Sequence, residues 1–516
     1  MPEHLKALLV ILLLAAGMFA FARAPACAAG TPVRDFNLRR NTWFAVTLIA
    51  FLAHSFWIYV AAAAVVLLVA AARDENRLAL FFSVLFALPA MPMEIPGVAG
   101  IRYLFDIHHV RLLALAVLLP AFLSLATKPD TERFGRRWAD WLLLAYLGLY
   151  FVLTLLASSA TNALRQGLFY GFIDIFLPYY VASRSLRSIA DFRDALGAFV
   201  VAALVLAAVG IVESAKGWLL YFSLQDALRV PWNYGEYLPR DGFVRALGTA
   251  GQPIAYGYVI AVAIGFFVYL RRFLSPLATA AGFAVLLAAL AASISRGPWL
   301  GAALILLLGL TTGRSAGVRL LAAGLIAVGI VPFLFSTTIG ARLMDFLPFV
   351  GTVDAENLTY RARLLDTFLT LMAERPLFGS YDYMLTPEVQ ELRTGQGIID
   401  VVNTYVGIGF ASGLAGLSIF VGFFLSVGVG LLRAARLCRH DADVYLLGQA
   451  LLATLLAILV MISAVSSITV IPVVYWVVAG LGVAYARLVE STQARVALEP
   501  ARARAHPRAR PLPAAR

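Results

Sequence analysis

Charge is scarce in this chain. Asp, Glu, Lys and Arg make up 14% of its 516 residues, where soluble domains average about 25%. With 61% hydrophobic residues, that shortage excludes an ordinary soluble domain. Cysteine is scarcer still: Cys27 and Cys438 stand near opposite ends, which excludes a disulfide framework. No His, Cys, Asp or Glu cluster has metal-ligand spacing, and there is neither a glycine-rich phosphate loop nor a nucleophile elbow. No metal and no cofactor are expected. Acids are the minority charge, giving a net charge of +12. The basic residues fall in short loops between apolar runs, so the excess reads as the positive-inside pattern rather than as a nucleic-acid surface.

Long apolar runs fill the rest of the chain, many reaching the roughly 17–20 residues that cross a bilayer. They lack the alternation of a membrane barrel, so the expected fold is an all-α polytopic membrane protein with about 12–15 spans. Spans are expected at 5–22, 41–55, 57–72, 77–92, 110–126, 138–157, 168–183, 195–213, 251–270, 275–293, 297–311, 318–338, 404–430, 444–465 and 468–487. The opening "MPEHLKALLVILLLAAGMFAFARAPACAAG" imitates a signal peptide. The long apolar run and the immediate Arg23 favour a retained first span.

Charge also sets orientation. The Arg-rich tail beyond 487, expected to be disordered, belongs inside. Counting back from it places 433–440, 313–319, 271–272, 183–193, 128–137 and 73–77, all basic, on the same side. The opposite face receives 93–109, 214–250 and the large loop 339–403. That loop contains its own helix pattern at 356–379, with Leu358, Arg361/Ala362, Leu365, Phe368/Leu369 and Met372 at helical spacing and Pro376 and Gly379 as stops. In a bacterium the outer face is the periplasm, which has no ATP, so chemistry there requires an already activated substrate.

Arginines should be scarce on that face, and three ask for a reason. Arg296, in "SISRGPWLG", suits either a bidentate contact to phosphate or a snorkelling side chain. Arg245 suits a phosphate or an interface anchor, and Arg361 a phosphate or a solvated helix face. Asp400, Asn403 and Thr404 are expected on one face of the coming helix. Asp400 is either its N-cap or a general base for a sugar hydroxyl. Glu374 reads as a helix-end charge, His108 and His109 as structural or headgroup-facing, and His54 as a turn residue. Gly409 and Gly413 read as a small-xxx-small packing pair. Asp174 and Glu213 are the clearest ionisable residues within spans.

Three segments together resemble the family of O-antigen ligases and polysaccharide polymerases: "RALGTAGQPIAYGYVIAVA" (245–263), "SISRGPWLG" (293–301), and the stretch from Arg361 through "ERPLFG" to "VNTYVGIGFASGLAGL". The resemblance implies a GT-C-like membrane glycosyltransferase that takes undecaprenyl-diphosphate-linked glycans in the bacterial inner membrane. It implies that Arg245, Arg296 and Arg361 contact the diphosphate, with Asn403 and Tyr405 also at the substrate. Flippase and chain-length regulator are the implied partners, besides membrane lipid. The resulting division is 1–76 as extra spans, 77–338 and 404–487 as the core, 339–403 as the periplasmic loop and 488–516 as the tail. Lipopolysaccharide ligases resemble one another in a His directly before the Asn. Here Val402 stands there, which favours a repeat-unit polymerase over a ligase. A flippase or transporter of lipid-linked glycan is the third alternative.

Overall fold

The computed structural model describes residues 1–89, 91–98, 100–230, 239–240, 242–311, 355–393 and 399–505. Among them nine helices are long and apolar enough to cross a membrane, from Glu3–Ala29 to Ile471–Gln493. The chain is an all-α polytopic membrane protein. Helices Ile189–Lys216, Pro253–Leu270 and Ile471–Ala505 form the centre, with most of their apolar windows buried, whereas Glu3–Ala29 and Trp138–Ala157 bury a third or less. The central helices are apolar nearly all round, as an interior helix must be, and the outer ones present one face to lipid. Local signals set the ends. A Ser188/Asp191 capping box starts Ile189–Lys216, and Gly217 in the left-handed region stops it.

Two differences from the expected spans matter. Over 77–92 only Arg77–Leu85 is helical. Nine residues rise about 14 Å, under half of a roughly 30 Å hydrocarbon core. Pro89 and Pro92, lacking N–H donors, prevent continuation. The helix survives as a short element with Leu78 to Leu85 wholly inside the protein. The chain then forms a hairpin, Met93–Pro96 against Tyr103–Ile107. The last helix continues past 487 through Ala505. The expected span 318–338, the basic loop 313–319 and the start of the large loop lie outside the described residues.

One end of the bundle is joined by ion pairs. Arg39 is buried and meets Asp74 (2.8 Å) and Asp194 (2.6 Å). Arg184 meets Asp140 at 2.6 Å, with Tyr179 donating to the same carboxylate. Arg137 reaches Glu490 at 3.0 Å, and both Arg193 and Arg272 pair with Asp443. These links tie together the segments around 74, 137, 184–194, 272, 443 and 490, in line with the single basic face that the sequence requires. Among the two in-span acids, Asp174 is held by Arg111 at 2.8 Å, the same guanidinium that binds Asp106 of the hairpin at 2.6 Å.

Removing Arg39 would leave two buried carboxylates facing each other. Arg39→Ala should therefore cost about 3–5 kcal/mol, read as a marked loss of monodisperse protein in detergent. An unchanged melting profile would contradict this.

Candidate functional site at the non-basic end

The opposite end is built from four chain segments, and backbone groups do most of the joining. The first is 245–250. Glu213, buried at the end of its helix, accepts from the N–H groups of Leu220 (3.1 Å), Leu247 (3.2 Å) and Gly248 (2.8 Å). A carboxylate that accepts three backbone donors holds the segment at one position, and Ala246 N–H fixes it to Ala292 O at 3.0 Å. Arg245 thereby reaches the next segment, donating to Ser293 O (3.2 Å) and Ser295 Oγ (2.8 Å).

That second segment is the turn Ser293–Ser295, between helices Pro276–Ala292 and Arg296–Thr311. Arg296 is the first residue of the new helix and is half-buried. Ile294 has φ +44, outside the regions a β-branched residue favours. Residue 297 faces the third segment, with Ala464 and Val465 next to where a side chain would project.

The third segment, the turn 463–470 between the last two helices, is the hub. Its Ala464 carbonyl accepts from Arg361 at 3.2 Å, and its Val465 carbonyl accepts from Thr404 Oγ1 at 2.8 Å. Ser466 donates to Asp400 Oδ1 at 2.6 Å, and Ser467 to Thr404 Oγ1 at 3.1 Å. Thr469 repeats the positive φ, at +48. Two β-branched residues in sparsely populated backbone regions, in turns that meet, are the sort of strain that collects at working sites.

The fourth segment is the large loop. Helix Ala355–Glu374 brings Arg361, and the strand-like stretch before Thr404 brings Asp400. Tyr360 joins the two: its hydroxyl donates to Asp400 O (2.9 Å) and accepts from Asp400 N–H (3.1 Å). Burial pulls the Arg361 guanidinium below its ordinary value, and the nearby Asp400 carboxylate opposes that. The segments carrying Arg245, Arg296 and Arg361 thus come together around 293–297 and 463–467, with Asp400 beside Arg361.

Other expectations are corrected. Asp400 is not the helix cap, and it does not share a helical face with Asn403 and Thr404, because the helix begins at Thr404. Asn403 is the cap, its Oδ1 accepting from Tyr405 N–H (2.9 Å) and Val406 N–H (3.3 Å). Tyr405 turns into the bundle and donates to Leu459 O at 2.9 Å. The buried face of the loop helix is displaced by one residue from the expected stripe. Leu364, Tyr360, Phe368 and Leu371 pack with Val401, Val406 and Phe410, leaving Leu365 and Leu369 more than half exposed. Val402 packs against that same apolar cluster.

Of the glycine pair, Gly409 serves close packing against the loop helix, whereas Gly413 does something else. Helix Thr404–Leu437 is broken at Gly413 (φ 63, ψ −164), a conformation essentially restricted to glycine. The loop segment 376–380 fills the break. Leu414 N–H donates to Pro376 O (2.8 Å), Ala415 N–H to Leu377 O (3.0 Å), and Ser380 N–H to Phe410 O (2.7 Å). A Cβ at Gly413 would stand 2.4 Å from the Leu377 carbonyl, and one at Gly379 2.4 Å from Phe410 O. Gly409 makes room for the Phe368 ring. The turn 463–470 was missed altogether; its sequence signal is "SAVSSIT", hydroxyls packed into a short connection between two apolar helices.

Gly413→Ala adds strain of about 1–3 kcal/mol, before the clash with Leu377 is counted. It should accelerate tryptic cleavage at Arg363 and Arg393 at least about tenfold, with helix content retained. Cleavage at the wild-type rate would refute the account of the break.

A search of the curated proteins found no match to the chain. A family model described as O-antigen ligase matches residues 281–421. The match takes in Arg296, Arg361, Asp400 and the Gly413 break, whereas Arg245 lies before its start and the 463–470 turn after its end. By that match, the segment 281–421 of this multi-pass membrane protein is a domain of the O-antigen ligase and polysaccharide polymerase family.

Proposed function

We propose that the protein is a polymerase that joins lipid-linked oligosaccharide repeat units at the periplasmic face of the bacterial inner membrane. The O-antigen ligase domain supports ligase- or polymerase-type glycan transfer in general, with lipid-linked glycans as substrates. The observation that carries the finer reading is the assembly of Arg361, Asp400 and Ser466 on the 463–467 turn, beside the segments of Arg245 and Arg296.

In the reaction, the bond between the donor's anomeric carbon and the diphosphate oxygen breaks, and a bond to an acceptor sugar oxygen forms. The acceptor's proton passes to Asp400, and the lipid diphosphate departs with the bonding electron pair. Guanidinium groups of Arg245, Arg296 and Arg361 meet the charge that develops on the leaving oxygen; such preorganised donors stabilise a transition state more than a ground state. Asp400 is exposed on non-helical backbone, where a hydroxyl can approach, and Ser466 and Tyr360 fix its position. Undecaprenyl is the carrier implied by the resemblance, and a flippase and a chain-length regulator are the partners such a system needs.

Val402 favours polymerase over ligase. Its side chain packs in an apolar cluster and has no proton to give or take. A transporter is disfavoured because Asp174 is committed to Arg111 and Glu213 to three backbone donors.

Arg361→Ala should lower transfer about 10²–10³-fold, and Asp400→Asn about 10²–10⁴-fold. The assay is polymer formation from a purified lipid-linked repeat unit, supported by polymer profiles in a complemented deletion strain. Full-length polymer from the Arg361→Ala protein would sink the proposal. Transfer to a lipid or protein acceptor with no chain growth would replace polymerase by ligase.

A further inference from the structure

A second concavity on the non-basic end takes no part in the chemistry above. It is a cavity of about 230 Å³ between the end of the loop helix, the segment 379–388 and the broken helix at Phe410. It is smaller than the roughly 300–1,000 Å³ of sites that enclose a drug-sized ligand, so it suits one ring rather than a whole repeat unit.

Its walls have two characters. Tyr383 lies parallel to Phe410, with ring centroids 5.0 Å apart and planes 13° from each other. Phe410 is itself fixed edge-on by Phe368 at 5.3 Å. This makes a rigid aromatic wall, and Tyr383 stays half-buried along it. Burial pushes the Tyr383 hydroxyl up, so the ring stays uncharged. The cavity is also lined by residues with hydrogen-bonding groups: Glu374, Glu388, Arg375, Ser380 and Thr386. Several are already oriented. Arg375 donates to Ser380 Oγ (3.4 Å), Ser380 to Asp382 (2.8 Å), and Thr386 to Tyr383 O (2.8 Å).

An aromatic plane faced by paired acceptors and donors matches a pyranose, whose C–H face packs on a ring while its hydroxyls bond at the edge. Charge narrows the class. Two carboxylates with one guanidinium repel a phosphate or a uronic acid and accept hydroxyl or ammonium groups. Distance gives the role. Leu371, on the cavity wall, is ten residues from Arg361 on one helix, roughly 15 Å along its axis. That separation spans several sugars.

On the proposed polymerase reading, we infer that this cavity is a distal glycan subsite, which holds a neutral or amino sugar of the bound chain several residues from the point of transfer. Its occupation would keep the polymer seated between additions. The subsite is carried by the same 376–380 segment that fills the helix break, so glycan grip and catalytic arginine share one support.

The test uses the full-length protein and, as probe, lipid-free oligosaccharide cut from the polymer that the wild-type makes. Tyr383→Ala should weaken probe binding about tenfold, as loss of one stacking partner does. It should raise KM rather than lower kcat, and shorten the polymer, whereas Tyr383→Phe should behave as wild type. Glu388→Lys, which reverses a charge lining the cavity and leaves the aromatic residues in place, should produce the same shortening, and it stands in if Tyr383→Ala does not fold. Unchanged probe affinity and polymer length in folded Tyr383→Ala or Glu388→Lys protein, with Arg361→Ala inactive, would overturn the subsite and leave the polymerase reading intact. An active Arg361→Ala protein would instead overturn that reading.

Discussion

The exchange of backbone hydrogen bonds at Gly413 is the constraint on which the rest of the non-basic end depends. A break in an apolar helix exposes N–H and C=O groups where water is scarce, and each left unpaired costs about 1–3 kcal/mol. Here Pro376, Leu377 and Ser380 supply the missing partners. The loop is thus bonded into the helix through main-chain groups, which vary little in position compared with long side chains. That fixes the end of helix Ala355–Glu374, which sets where Arg361 falls against Ala464 and where Tyr360 meets Asp400.

The two ends of the bundle are held by different chemistry. At the basic end, carboxylates and guanidiniums neutralise one another across Arg39, Arg184, Arg137 and Arg193. At the other end, Arg245 and Arg361 donate to carbonyls and a hydroxyl, which orient the guanidiniums. Glu213 serves in the reverse sense, a carboxylate used to gather N–H groups. Main-chain and hydroxyl acceptors thus hold two of the three arginines named in the proposed reaction.

Much of this was legible in the sequence because membrane spans are set by composition over long windows. The loop helix was legible from Pro376 and Gly379, and the arginine segments from the rule that makes outward arginines unusual. What could not be read depended on single residues in tertiary context. Gly413 looks like any small residue at a helix interface; its break shows only when Leu377 is brought against it. The buried stripe at Leu364 rather than Leu365 was set by Val401 and Phe410, far along the chain. Helix Arg77–Leu85 is apolar enough to extend, and only Pro89 and Pro92 mark its arrest. The hub at 463–470 has no charged residue and so carries no charge signal in the sequence, although its carbonyls and serines contact both Arg361 and Asp400.

The buried Arg39 ion pairs also have a history in time. Asp194 lies 155 residues after Arg39. At about 5–20 residues per second, the ribosome takes roughly 8–30 s to cover that distance. During that interval Arg39 can bond Asp74, 35 residues on, but not Asp194. Until the central helix is made, the N-terminal helices therefore lack one of the two carboxylates that Arg39 binds in the finished bundle.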